Sequence, residues 1–408
     1  MSGNVSALAV LVNKALIFAL LFVLAKLIGV AAYGVFSYYY AIVTGVASVM
    51  GECVALALCR YALQQGVRAD YLTYLKVAVM SAIIAGLTAV MAVALFPSDN
   101  ESNGIIGLAV LLGSFGFAVS SVLNVVITGL MFTKQGAKTW ALAQLLHGIS
   151  VFAGVIAAAY VVGSAGAIFC ALAFFNSIAP AIGLKMLLAT VKKARAIRES
   201  DGYLHLVVKT GMPEILGGML FGAPIHIICI MIFNKFSNSL EVGYFNLYFL
   251  FYVILTVVPA SLAPYILAKL ASGTNSQKLY IGFGIATAIV APALLYVTQS
   301  LWLCNLGSHV CQRSDILPAA LIAGGVGLVV TQLVQVVHSA KRSGYVVWSG
   351  IVYAAVYLTT VGVSAAYEAL DANRMFYCFL SALIVQVAFL SILLYRLRDK
   401  RQSCLSIS

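Results

Sequence analysis

The sequence predicts an all-α integral membrane protein of about twelve transmembrane helices, arranged as two pseudo-symmetric bundles of six. Hydrophobic residues make up 63% of the chain and charged residues 9%, and long apolar runs follow one another from end to end. An α-helix needs about 20 apolar residues to cross the hydrocarbon core of a bilayer, which is the length of these runs. Two further observations, a one-sided distribution of basic residues and an internal repeat, predict the topology and the two bundles.

The breaks between apolar runs are short and are marked by Pro, Gly, Asn and charged residues. They are too short to hold a separate soluble domain. The first apolar run is long enough to be the first span instead of a cleavable signal. We predict spans over 5–28, 33–58, 72–95, 105–130, 139–161, 166–190, 206–233, 241–267, 279–302, 316–338, 344–367 and 375–395.

Basic residues alternate between the two sides of the predicted spans. Of the 24 Lys and Arg, 18 fall on the side that carries the termini and 4 on the other side, namely Lys26, Lys235, Arg313 and Arg374. Cytoplasmic loops carry an excess of Lys and Arg, so both termini are predicted to be cytoplasmic. The net charge of +12 is therefore a topology signal and does not indicate a nucleic-acid partner.

The two halves of the chain resemble each other. Six spans in each half would place both halves in the same orientation, a plan typical of transporters with a substrate path between the halves. We predict a boundary that divides the chain into 1–198 and 199–408, with 185–201 as the linker. At an offset of 209 or 208 residues the matches are Lys26 with Lys235, Gly34 with Gly243, Phe36 with Phe245, Tyr39 with Tyr248, Arg60 with Lys269, Gly136 with Gly344 and Trp140 with Trp348.

Residues 25–62 resemble the start of the polysaccharide flippases of the multidrug/oligosaccharidyl-lipid/polysaccharide exporter superfamily. Segments 212–218, 241–249 and 259–271 resemble the second half of the same proteins, whereas Ile28 and Ala32 depart from the usual Leu and acidic residue. The matching residues of the first segment are Lys26, Gly29, Tyr33, Gly34, Phe36, Gly51 and Arg60.

This resemblance implies two six-helix bundles in a V that move an undecaprenyl-diphosphate-linked oligosaccharide, an O-antigen-type repeat unit, across the bacterial inner membrane by alternating access. A polysaccharide polymerase, a chain-length regulator and membrane lipids are the implied partners. The alternative is a drug or small-cation antiporter of the same superfamily. Those antiporters usually carry an acidic residue in the first span, where this chain has Lys14.

Ionisable residues inside the predicted spans are candidate site residues, because a charge at the bilayer centre costs about 2.5–3.5 kcal/mol on insertion scales. Several share one depth in the cytoplasmic half of the membrane, which predicts the floor of a water-filled cavity. Lys14 and Glu52 could instead neutralise each other as a structural pair, and His147 could be a packing histidine. The predicted layer contains Lys14, Glu52, His147 and Glu214, with Asn124, Gln144 and Gln332 within about one turn of it. Lys209 lies in the same predicted span as Glu214, five residues before it.

These residues divide into three predicted roles. The cations Lys14, Arg60 and Lys209 would meet a diphosphate. Asn124, with Ser120 and Thr128 on the same helix side, could meet sugar, and Gln144 and His147 would line the cavity. Glu214 and, second, Glu52 are the candidates for a coupling ion, because a carboxyl in a low-dielectric wall binds a proton more readily. Lys26 and Lys235 are a possible periplasmic gate, although a snorkelling position near the membrane edge explains them slightly better.

Motifs of catalysis and of cofactor binding are missing from the sequence. It has no nucleophile elbow, phosphate-binding loop, zinc spacing or catalytic carboxylate pair, so we predict a transporter without a cofactor or a metal, not an enzyme. A membrane glycosyl-polymerase would need larger external loops, and the signature of a major facilitator permease is absent from 60–71. Of the eight cysteines, Cys304 and Cys311 bracket a predicted periplasmic loop and could form a disulfide in that oxidising compartment.

Overall fold

The computed structural model describes residues 2–65, 71–97, 104–131, 137–193, 222–261, 274–306, 308–339, 343–367 and 370–405, and no β-strand occurs in these ranges. The helices are α1 Ser2–Ile28, α2 Val30–Gln65, α3 Tyr71–Leu95, α4 Gly104–Met131, α5 Ala137–Val161, α6 Ala165–Asn176, α7 Ile178–Lys193, α8 Ala223–Phe236, α9 Ser239–Ser261, α10 Thr274–Val297, α11 Leu317–Ser339, α12 Ser343–Tyr367 and α13 Ala372–Leu405. Short helical turns, Gln299–Trp302, Cys304–Leu306, Ser308–Gln312 and Ser314–Ile316, join α10 to α11.

Eleven spans in the described ranges are long and apolar enough to cross a membrane. The shorter apolar helix α8 contains the end of the predicted seventh span, of which 206–221 lie outside the described residues. The chain is therefore a multi-pass, all-helical membrane protein, as predicted. Two helices run further than the apolar windows indicate, α2 to Gln65 and α13 to Leu405. The sixth span is divided at Ser177, and Pro180 lies in the first turn of α7, where a missing N–H costs least.

The helices cluster into two units, Met1–Met219 and Leu220–Ser408. The predicted boundary at 198/199 falls in 194–221, outside the described residues, and stays a prediction.

The first unit is built around α4, which packs against α2, α3 and α6, while α1 packs along α5. Small residues allow these close approaches. A Cβ at Gly113 of α4 would lie 2.7 Å from the backbone of Phe169 on α6. On α3, Ala78, Ala82 and Ala85 are buried in the cluster that contains α4 side chains. Lipid tails are as apolar as the helices, so such tight van der Waals contact is a main source of helix association in a membrane.

The second unit repeats this plan. Its α11 packs against α9, α10 and α13, and α8 packs on α12, as α1 does on α5. The repeated aromatic residues lie in both interiors: Phe36 on α2 and Phe245 on α9 are each fully buried. The repeated tryptophans differ, because Trp140 is buried and Trp348 is exposed. The packing order therefore agrees with the predicted internal repeat, whereas individual matched residues do not all share an environment.

Candidate functional site

A chain of buried amide groups connects three helices of the first unit. The Nδ2 group of Asn13 on α1 donates to Oε1 of Gln144 on α5, at 2.7 Å. The Nε2 group of Gln144 donates in turn to Oδ1 of Asn124 on α4, also at 2.7 Å, and more weakly to Oγ1 of Thr128. The predicted site residues Asn124 and Gln144 are thus brought into direct contact.

His147 lies one turn after Gln144 on α5 and extends the chain to α6. Its Nδ1 atom lies 3.0 Å from Nδ2 of Asn13, and its Nε2 atom lies 2.8 Å from Oδ1 of Asn176. The Nδ2 group of Asn176 donates to the hydroxyls of Ser120 and Ser121 on α4. An amide N–H faces Nδ1 and an amide oxygen faces Nε2, so the bonds fit a neutral imidazole with its proton on Nε2.

We call Asn13, Asn124, Gln144, His147 and Asn176 the amide–histidine chain. His147 and Gln144 are 1% and 2% exposed, and Asn124 is half-buried. One atom of the chain is unsatisfied, because Oδ1 of Asn13 is buried without a hydrogen-bond partner. It faces Gly148, where a Cβ would approach it to 2.8 Å. A buried polar atom without a partner is costly, which marks this position as one to explain.

Among the described residues of the protein, no carboxylate contacts the amide–histidine chain. Lys14 follows Asn13 on α1, and its side chain is exposed, yet it lies close enough to His147 for an electrostatic interaction. Apart from the neighbouring Lys14, the polar residues at this site are uncharged. The arrangement can donate and accept hydrogen bonds through amides and hydroxyls, and its one titratable group is His147.

The other predicted site residues are spread more widely. Lys26 and Lys235 are both exposed, and each lies in the last turn of the first described helix of its unit. A cation at a helix C-terminus interacts favourably with the helix dipole, which is a structural explanation for both. The side chains of Glu52 and Arg60, and all of Lys209 and Glu214, lie outside the described residues, so their predicted roles stay predictions.

Sequence reasoning missed Asn13 and Asn176. The candidates were chosen mainly by charge, so Lys14 was selected and the neighbouring amide of Asn13 was not. Successive helical residues point about 100° apart, so residues at one depth need not face the same way. The signal that was available was a set of neutral amides on several spans at one level.

The second unit carries aromatic rings at the comparable place. The ring of His226 on α8 stacks on Phe249 of α9 at 4.6 Å between centroids, and on Tyr357 of α12 at 6.0 Å. Phe379 of α13 lies 5.6 Å away. The hydrogen bond from Tyr357 to Nδ1 of His226 is long, at 3.4 Å. We call these four residues the aromatic box.

A cross-linked loop closes the predicted periplasmic end of the second unit. Cys304 and Cys311, which the sequence left as a possible pair, form a disulfide. Arg313 donates to Oε1 of Glu241 at 2.6 Å, and the other oxygen of Glu241 accepts the backbone N–H of Ala372, at the start of α13. Partial burial alone would lower the pKa of Arg313, but the hydrogen bonds and charges of Glu241 and, second, of Asp315 outweigh it and raise that pKa.

Among the described residues, no group of three or more His, Cys, Asp or Glu is placed to hold a metal ion. No protein-family profile and no curated protein matches this sequence.

Solved structures do match, over nearly the whole chain. An inward-facing multidrug resistance MATE family transporter of the MOP superfamily aligns with a TM-score of 0.65 and 14% identity, covering 93% of this chain and 95% of that one. An outward-facing structure of such a transporter aligns with a TM-score of 0.66 and 14% identity, covering 98% and 96%. The chain has the MATE transporter fold.

A third solved structure with the same fold belongs to a transporter whose binding pocket differs in polarity. It is a MOP superfamily transporter from Pyrococcus furiosus, with a TM-score of 0.62 and 14% identity, covering 97% of this chain and 95% of that one. The reverse polarity of that transporter's binding pocket suggests a different function for it. At 14% identity the likeness establishes the fold alone.

Proposed function

We propose that the protein is a secondary transporter that exports a small organic molecule by alternating access, in exchange for protons. The observation that carries this proposal is the whole-length likeness to multidrug transporters in both an inward-facing and an outward-facing conformation. The sequence adds that no nucleotide-binding motif is present, so an ion gradient is the available source of energy.

The residues of the first unit are compatible with this function. Transport of a drug-like molecule needs polar groups within apolar helices, and intramembrane polar groups are retained mainly where they have a function. The amide–histidine chain supplies such groups and contains a titratable residue, His147, in hydrogen-bonded contact with two helices besides its own.

The direct test is transport by purified protein in liposomes. Ethidium-loaded vesicles should lose the dye faster when the outside is made acidic, because proton entry would drive dye exit. Protein-free liposomes, and protein-containing liposomes without a pH difference, are the controls. Dye loss that is independent of the pH difference, or no faster than in protein-free liposomes, would contradict proton-coupled export of such a molecule.

A second candidate is the flipping of an undecaprenyl-diphosphate-linked oligosaccharide in a bacterial inner membrane. The pattern in residues 25–62 and 241–249 favours it, and these segments contain Phe36 and Phe245, which lie in the two buried interiors. In this proposal Lys14, Arg60 and Lys209 meet the diphosphate, and the termini are cytoplasmic.

This candidate has its own test, because its substrate is a lipid. A fluorescent lipid-diphosphate sugar in liposomes should become accessible to a membrane-impermeant quencher faster in the presence of the protein. Lys14→Gln should slow this movement, whereas Lys26→Gln, an exposed lysine in the last turn of the same helix, should slow it less. Unchanged lipid movement alongside proton-dependent dye export would favour the antiporter.

A further inference from the structure

His147 is surrounded by groups that can satisfy either of its protonation states. In the neutral ring, the Nδ1 lone pair accepts from the amide N–H of Asn13 and Nε2–H donates to Oδ1 of Asn176. A second proton on the ring would leave the contact with Asn176 intact. It would change only the contact with Asn13, where two N–H groups would then oppose each other.

Rotation of the Asn13 amide removes that conflict. The rotation would exchange Oδ1 and Nδ2, so that Oδ1 accepts from the protonated Nδ1 of His147. That oxygen is the one buried atom of the amide–histidine chain without a partner. The rotation gives it partners and moves Nδ2 into the unpartnered position that faces Gly148. The imidazolium would then donate to two amide oxygens, and hydrogen bonds with one charged partner are roughly twice as strong as neutral ones.

The rotation cannot stop at Asn13. Its oxygen would face Oε1 of Gln144, which now accepts from Nδ2 of Asn13 at 2.7 Å. Rotation of Gln144 restores that bond and turns Oε1 toward Asn124, whose Oδ1 now accepts from Gln144. Rotation of Asn124 restores the last bond. Each amide link is kept and only its direction is reversed.

We propose that His147 is a proton-binding site and that its protonation is transmitted to Asn124 by the concerted rotation of the Asn13, Gln144 and Asn124 amides. The inference deepens the proposed function, on which it rests, by naming the proton site and the group that reports its state. Asn124 is the half-buried end of the chain. Without the proton on His147, the N–H donors of Asn124 point away from Gln144. With the proton, the oxygen of Asn124 points away from Gln144 instead.

The reversal at Asn124 would make proton uptake weaken substrate binding, as the exchange of a proton for a substrate requires. A substrate held through an ether, carbonyl, hydroxyl or phosphate oxygen would be bound by the N–H donors of the proton-free state. Proton uptake would replace those donors by an acceptor and release that oxygen. Two ligands that oppose each other in this way must do so reciprocally, since coupling free energy is shared between sites.

The charged groups around His147 affect how readily its ring can take up a second proton. On α1, Lys14 is the described charged group that interacts with the ring, and it opposes a second cation there. The contributions to the chain from α4 and α6 are amides and hydroxyls. On α2, the Glu52 side chain lies outside the described residues.

The test is the titration of His147 followed by ¹⁵N NMR of histidine-labelled protein in lipid nanodiscs, with His226 as the internal reference. In Asn13→Leu the imidazolium loses an amide oxygen, so its midpoint should fall by about one pH unit, a tenfold loss of proton affinity. A static chain predicts the opposite sign, because Asn13 would then stabilise only the neutral ring. A midpoint that rises or stays unchanged, or a His147 that does not titrate in the unaltered protein, would overturn the proposal.

A second measurement begins with the unaltered protein and then uses a variant of the middle residue. In the unaltered protein, the side-chain amide signals of Asn124 should change at the same midpoint as His147. In Gln144→Met, which removes the middle of the relay, the Asn124 signals should no longer follow. Asn124 signals that ignore the titration in the unaltered protein would overturn the relay. Both readouts are independent of transport, so a failure of dye export would bear on the proposed function alone.

Discussion

The two units place different chemistry on corresponding helices. In the first unit, the first, fifth and sixth spans carry Asn13, His147 and Asn176, joined by directional hydrogen bonds. In the second unit, the first described helix and the helices that correspond to the fifth and sixth spans carry His226, Tyr357 and Phe379, which meet as rings. One packing plan therefore supports a first interior with a chain of directional hydrogen bonds and, among the described residues of the second unit, an interior where aromatic rings meet.

The difference indicates a division of labour. Stacked rings stabilise by contact area and by quadrupole geometry, which a change of protonation elsewhere does not alter. Amides have two ends of opposite polarity, and their rotation changes what they offer to a ligand without changing their volume. We therefore expect the first unit to respond to pH and the second to serve mainly as a rigid partner, and substitutions can test this comparison.

The largest effect is expected from the two corresponding cores, one in each unit. Phe245→Ala and its repeat counterpart Phe36→Ala should each lower the free energy of unfolding by about 3 kcal/mol, because both rings are fully buried and leave cavities. Unfolding in mixed micelles measures this. The exposed residues Phe283, at 70%, and Phe174, at 68%, provide matched Phe→Ala controls with little expected change. A large loss in one unit only would break the equivalence of the two cores.

The second prediction compares the two histidines directly. His147→Phe removes two hydrogen-bonding nitrogens and leaves Asn13 and Asn176 with unpaired groups, so a loss of about 2 kcal/mol is expected. His226→Phe replaces a stacked ring by another ring and loses only a long bond, so the loss should be below about 1 kcal/mol. Thermal unfolding of both variants in one detergent checks this ordering. Equal losses would show that His147 is no more dependent on its bonds than His226.

The sequence predicted the helical class and most spans because hydropathy and charge report the membrane directly. It misplaced the ends of α2 and α13, since helices continue past the apolar window into charged segments. It also missed the break at Ser177. For the candidate site, depth along each span placed Asn124, Gln144 and His147 at one level, and hydrogen bonds through Asn13 and Gln144 link them in the structure. Depth gives no rotational position, so Asn13 was overlooked in favour of Lys14.

The third prediction concerns the predicted periplasmic end of the second unit. Glu241→Ala removes the partner of Arg313 and an acceptor for the first N–H of α13, so a loss of about 1–2 kcal/mol is expected. Asp315→Ala is the matched control, because its contact with Arg313 is exposed and an exposed ion pair contributes about 0–1 kcal/mol. Unfolding of both variants with the disulfide intact separates them. A larger loss in Asp315→Ala would reverse the assigned roles.

The smallest effect is expected inside the aromatic box. Tyr357→Phe removes a hydroxyl whose contact with Nδ1 of His226 is 3.4 Å long, while the ring and its stacking remain. Neutral hydrogen bonds of good geometry contribute about 1 kcal/mol, so this one should be worth less than about 0.5 kcal/mol. The comparison is sharpest against Asn176→Leu in the first unit, which removes a 2.8 Å bond to His147 and leaves Ser120 and Ser121 without their donor. If Tyr357→Phe proves as destabilising as Asn176→Leu, the second interior is also held by directional bonds, and the division of labour between the two units is wrong.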